Sequence, residues 1–331
     1  MSYNRIGTPR FYLDTNSWRM ARGRVNKISK ITGTFNTESD INDLIDLKPL
    51  NRCSFDTSVN NTTHIVIQLD TTNTSAENKF DFIAILNHNI ASAEGKIRVA
   101  YKETAFTGEG EGTSVSNLTE VVNGTVSGNV ATPSYNGSTI VTFDEVTAND
   151  GRYWAIEIED DSNFSATDLE IGSIMLGEYY DMPHSPDLSV KRDFEYDGVT
   201  LHQSLGGGEY STATHFGGDD FDSNLFGQPF RHRTTTSFRR TGGRMSYDMK
   251  FSYLNDTNLM PSDLSSPWGD SVFHDVWNKT SGRFNPFIFA VDGTSTTTGD
   301  YIFARFNQDS FNATQVAPQV WDMSVKIRET W

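Results

Sequence analysis

Phe80-Asp81-Phe82-Ile83-Ala84-Ile85-Leu86 is a nearly continuous apolar run that ends in the polar triplet Asn87-His88-Asn89. Its length and β-branched, aromatic make-up predict a central strand buried on both faces, stopped by a turn. The segments around it alternate. Ile97, Val99 and Tyr101 fall on one face of Lys96–Tyr101, and Trp154, Ile156 and Ile158 on one face of Tyr153–Glu159. His64–Leu69, Ile140–Phe143 and Leu169–Leu176 read as further strands, the last with Ile171 and Ile174 as core candidates. Asp40–Leu47 fits one short helical turn stopped before Pro49, and 104–139 reads as long loops around weak strands.

Pro183 and Pro186, flanking His184-Ser185, mark a boundary near residue 185. Beyond it, Arg244–Tyr253 alternates over ten residues. Pro286–Val291, Tyr301–Phe306 and Trp321–Arg328 are three more strands. One helix is predicted, capped by Asp270 or Ser271, with Val272, Phe273, Val276 and Trp277 at helical spacing and Gly282 closing it.

The composition agrees with an all-β chain of more than one domain. Among 331 residues, 36% are hydrophobic but 12% are aromatic, a pattern of strands and turns rather than of disorder. The net charge of −16 argues against a body that binds nucleic acid. That charge is uneven. Arg5, Arg10, Arg19, Arg22, Arg24, Lys27 and Lys30 against the single acid Asp14 give residues 1–30 a net +6, and the rest −22. Residues 1–35 therefore read as a basic arm able to dock on an acidic neighbour. No run approaches a membrane span, and the N-terminus lacks the apolar core of a signal peptide.

The chemistry that sequence alone can nominate is sparse. Cys53 is the one cysteine; Arg52 beside it would lower its pKa, but no His/Asn constellation accompanies it, so a buried, inert thiol is expected. The seven histidines show no zinc spacing. Asp219, Asp220 and Asp222 in a glycine-rich loop match a calcium loop poorly, and Asp160-Asp161 beside Glu157 and Glu159 are carboxylates without a partner spacing. Gly206-Gly207-Gly208-Glu209 lacks the Lys-Ser/Thr of a phosphate cradle. Arg231, Arg233, Arg239, Arg240 and Arg244 form a basic cluster suited to salt bridges with a neighbouring subunit. Asn87, His88 and Asn89 would either bind a glycan or metal or hydrogen-bond backbone at a strand end. No catalytic residue, cofactor or metal site is expected.

The ordered series Phe82–Asn89, Lys96–Val99, Tyr153–Ile158 and Leu169–Glu178, with Ile171-Gly172-Ser173-Ile174-Met175-Leu176-Gly177 near its end, resembles the discoidin-like (galactose-binding-like) β-sandwich of tailed-bacteriophage structural proteins. Pro286–Phe289, Tyr301–Phe306 and Trp321–Glu329 are similar to the β-rich C-terminal region of phage tail proteins. The resemblance implies an all-β chain: a basic arm (1–35), a discoidin-like jelly-roll sandwich (36–185) and a second β-rich domain with one short helix (186–331). It implies a non-enzymatic virion component, made in the host cytoplasm. A tail-tip, baseplate (distal-tail-like) or fibre-adaptor protein would join ring-forming copies of itself and adjoining tail proteins, with no nucleic acid and no membrane insertion. Trp18, Trp268, Trp277 and Trp331 are candidate contact anchors. The alternative is a module that binds a host surface glycan. A capsid decoration or connector role is a variant of the first reading, and a polysaccharide depolymerase would need facing carboxylates that no spacing here supplies.

Overall fold

The computed structural model describes residues 6–15, 27–35, 40–57, 64–71, 79–118, 120–147, 151–159, 164, 168–195, 199–213, 244–261 and 271–330. Among them no helix is long and apolar enough to cross a membrane. The chain is all-β, built on an 11-stranded and a 7-stranded antiparallel sheet.

The larger sheet runs, in spatial order, Lys191–Glu195, Arg244–Asn255, Val320–Glu329, Tyr301–Phe306, Phe287–Ala290, Arg10–Asp14, Ser173–Asp181, Lys79–His88, Gly137–Thr147 and Glu120–Val122, with Ala313–Ala317 pairing Val320–Glu329. The smaller runs Lys27–Thr32, His64–Asp70, Tyr153–Glu159, Lys96–Lys102, Val130–Pro133 and Gly124–Ser127, with Thr113–Ser114 beside Lys96–Lys102. The two stack in the first half as a jelly-roll-like sandwich. Its core sets Ile83, Ile85, Ile174 and Leu176 against Ile67, Val99, Trp154 and Ile156. The Lys79–His88 strand is buried on both faces as its sequence predicts, with Phe82, Ala84 and Leu86 in a separate cluster on the far side. Trp154 is fully buried, 5.0 Å from Phe80 and 5.8 Å from Phe143, and its Nε1 donates to the Gly151 carbonyl.

The basic arm does not exist as such where the structure describes it. Arg10–Asp14 is a central strand of the large sheet, buried at all five positions, with Ser173–Asp181 on one side and Phe287–Ala290 on the other. Lys27–Thr32 is an edge strand of the smaller sheet. The physical reason is pairing that spacing cannot reveal. Arg10 makes a two-pronged bond to Asp181 (2.6 and 2.9 Å) and lies 4.0 Å over the Tyr179 ring. Its pKa is raised: burial opposes this, and the Asp181 bond outweighs it. Lys30 sits over the Phe35 ring. Arg5, Arg19, Arg22, Arg24 and the Lys27 side chain lie outside the described residues.

The joining strand also changes the meaning of residue 185. It separates two cores, not two sheets. The second core, around Tyr247, Phe251, Phe287 and Ile327, takes Phe11, Leu13, Tyr180 and Met182 from the first half. A helix of the second half closes the seam. Val272–Asn278 is a short π-type helix; the Ser271 hydroxyl accepts the His274 amide, the Asp275 carboxylate accepts the Ser271 amide, and Gly282 closes the segment at φ 65°. Just past its end, buried Lys279 pairs with Asp275 at 2.9 Å and with Glu178 of the first half.

Candidate functional site

The Asn87-His88-Asn89 triplet is a structural knot. Asn87 turns the chain at φ 53° and its side-chain Nδ2 donates to the Pro49 carbonyl. The Asn89 side chain donates to the Asp168 carbonyl and accepts the Glu170 amide. His88 is fully buried; its Nδ1 accepts the Ile90 amide at 3.2 Å and its Nε2 lies 2.9 Å from the Thr139 hydroxyl. Nδ1 as acceptor leaves the proton on Nε2. The triplet's side-chain hydrogen bonds run to the protein itself, as in the structural-turn reading.

Burial pushes His88 down to about 3. The folded state therefore binds fewer protons than the unfolded state, whose histidine titrates near its ordinary value of about 6.5. The sign follows: stability is intact above about pH 6.5 and falls as the pH drops from there toward 3, by up to about 1.4 kcal/mol per pH unit. Urea midpoints between pH 7 and 4 should show the loss. A His88→Gln variant should flatten that slope, and an equal slope in the variant would exclude His88 as its cause.

Cys53 is buried and its thiol is pushed up to about 12 by burial and by Asp43 and Asp40, so it is inert. Arg52 does not serve it; the guanidinium goes to Glu170 at 2.6 Å. Glu157 is likewise spoken for, by Arg98 and by the Gly110 amide at 3.0 Å, and Glu159 faces His64. Among the described residues no group of three or more His, Cys, Asp or Glu side chains converges as metal ligands would. Asp160-Asp161, Asp219, Asp220, Asp222, the arginines 231, 233, 239 and 240, and Trp18, Trp268 and Trp331 lie outside the described residues. Trp277 is half-buried against Phe306 and Phe311 rather than free.

Two surface features escaped the sequence reading. The first is a two-stranded hairpin, Val199–Gln203 with Glu209–Ala213, which among the described residues pairs with no other strand. All side chains from Thr200 to Thr212 are exposed, including Leu201 (76%), Tyr210 (59%) and Leu205 at the tip (112%). Its turn is made by the Ser204 amide donating to the Gly208 carbonyl with Gly207 at φ 79°. His202 stacks on Tyr210 across the strands at 5.1 Å. The second is Tyr253, at φ 66° and 78% exposed.

No family model matches this chain, and no curated protein does. The solved structures similar to parts of it include two from Clostridium perfringens. CBM32-1 from a family 31 glycoside hydrolase of Clostridium perfringens shares 11% identity over 46% of this chain and 94% of that one, with a TM-score of 0.31. The CBM32-1 and CBM32-2 domains of Clostridium perfringens ZmpB share 9% over 91% and 87%, with a TM-score of 0.32. Similarity at this level assigns the chain to neither.

Proposed function

We propose that the chain is a non-enzymatic structural subunit that assembles with copies of itself and with neighbouring proteins, as a tail or baseplate component of a bacteriophage virion. One observation carries the assembly reading: the Val199–Ala213 hairpin. Among the described residues it has no third strand, and a two-stranded hairpin by itself is marginal in water. This one nevertheless exposes Leu201 on one face, Tyr210 stacked with His202 on the other, and Leu205 at its tip. Large apolar side chains left exposed on both faces and at the tip of one short element suit a hairpin that a partner covers. The tail-protein part of the proposal rests on the short motifs quoted above.

Light scattering on the full chain tests it. The wild type is expected at a multiple of the monomer mass, and the Leu201→Ser/Leu205→Ser variant at the monomer mass with unchanged circular dichroism. A wild type that stays monomeric at every concentration counts against self-assembly.

The second reading is attachment of a host glycan. On this chain it rests on an observation of its own, the placement of Tyr253.

A further inference from the structure

Strict alternation along Arg244–Asn255 would send Tyr253 into the second core after Tyr247, Met249 and Phe251. The strand instead carries a β-bulge. Phe251 pairs with Met323 and Leu254 with Trp321, so Ser252 and Tyr253 together oppose Asp322. Leu254 takes the inward place and is fully buried, while the Tyr253 ring is turned out to solvent. A bulge re-aims a side chain in this way, and its left-handed position is ordinarily given to glycine, since a Cβ crowds the next carbonyl there. A tyrosine at φ 66° is an expensive occupant of that position. Nothing in the core explains it, because the ring does not pack there.

The surroundings are polar. Lys250, two residues before the bulge, pairs with Asp322 at 2.6 Å, and the Tyr253 amide is directed at the same carboxylate. Ser252 donates to Asp187 at 2.7 Å. Lys250 is matched by Asp322, and Asp187 adds a further negative charge, which disfavours an anionic ligand. A flat π-face beside hydrogen-bonding groups suits a ring with one C–H face and hydroxyls at its rim.

We infer that Tyr253, with Lys250, Ser252 and Asp322 beside it, forms a binding site for a neutral pyranose of a surface glycan. The inference rests on the second reading above and is independent of assembly through the hairpin. A protein hot spot built on the same tyrosine would be expected to sit in an apolar surround, which the bulge does not provide.

The test uses the full chain and beads carrying glucose, galactose, mannose or N-acetylglucosamine. Wild type is expected to be retained by at least one of them. Tyr253→Phe, which keeps the ring, should be retained as well. Tyr253→Gly should lose retention by at least about tenfold, while its thermal midpoint stays level or rises by about 2 °C as the strain is relieved. That pairing of lost binding with undiminished stability is what a structural role would not give. Failure of the wild type to bind any of the four sugars overturns the inference, and so does equal binding by wild type and Tyr253→Gly. A Tyr253→Gly variant that changes the particle mass instead assigns the ring to a protein contact and also overturns it. The hairpin variant's mass remains a separate readout.

Discussion

Lys279→Met is expected to destabilise the protein by about 3–5 kcal/mol, the cost of leaving buried carboxylates without their cation. Lys279 and Asp275 belong to the second half, whereas Glu178 lies on the last strand of the sandwich. Burial lowers the ammonium's pKa to about 7, with Asp81 opposing the shift, while the Asp275 and Glu178 carboxylates lie at bonding distance. Removing it leaves two like charges facing each other across the seam. Urea unfolding followed by tryptophan fluorescence should show the loss. It should also separate the transition into two steps, because Trp154 reports the first core and Trp277 the second. Converting the whole group (Lys279→Met with Glu178→Gln and Asp275→Asn) should recover most of the stability, since neutral partners no longer need the cation. A single unchanged transition in Lys279→Met would show that the ion group does not hold the halves together.

Gly177→Ala is expected to cost about 3 kcal/mol, at the upper end of what overpacking does. A Cβ at residue 177 would lie 1.9 Å from the Leu13 carbonyl oxygen and 2.8 Å from the Thr15 amide. Both are backbone atoms of the joining strand or its immediate end, so no rotamer change relieves the contact. The strand must move away from Ser173–Asp181, and its ladder from Arg10↔Asp181 to Asp14↔Gly177 would be disturbed along its length. Gly206→Ala, where an added Cβ meets nothing within 4 Å, is the matched control and should be close to neutral. Thermal unfolding of the two variants side by side checks the difference.

Sequence reading recovered what local periodicity encodes. The sandwich strands, the helix near Val272 with its serine cap, the turn before Pro49 and the buried state of Cys53 all follow from patterns a few residues wide. The joining strand was missed because its apolar stretch, Phe11-Tyr12-Leu13, is short and bracketed by charges. Arg10 reads as surface until its partner is known, and that partner, Asp181, is 171 residues away. The outward turn of Tyr253 is hidden in the sequence for the opposite reason. The alternation there was clean, and the bulge that breaks it is set by which of two neighbours, Tyr253 or Leu254, fills the second core. In the first half the Asn87-His88-Asn89 triplet is open to two readings in sequence; its hydrogen-bond partners Pro49, Thr139 and Asp168 were not legible there because none is adjacent in the chain.

The place of Arg10–Asp14 in the large sheet also sets a clock on biosynthesis. Phe11 pairs with Tyr180 and with Phe289, so its second neighbour is translated about 280 residues after it. At ribosomal rates of roughly 5–20 residues per second, that is an interval on the order of 15–55 s. Throughout it the nascent segment carries Phe11, Tyr12 and Leu13 with at least one open edge, an aggregation-prone state. The strand that unites the two cores is thus also the one that needs guarding longest, and the yield of folded protein should depend on how quickly residues 287–290 leave the ribosome.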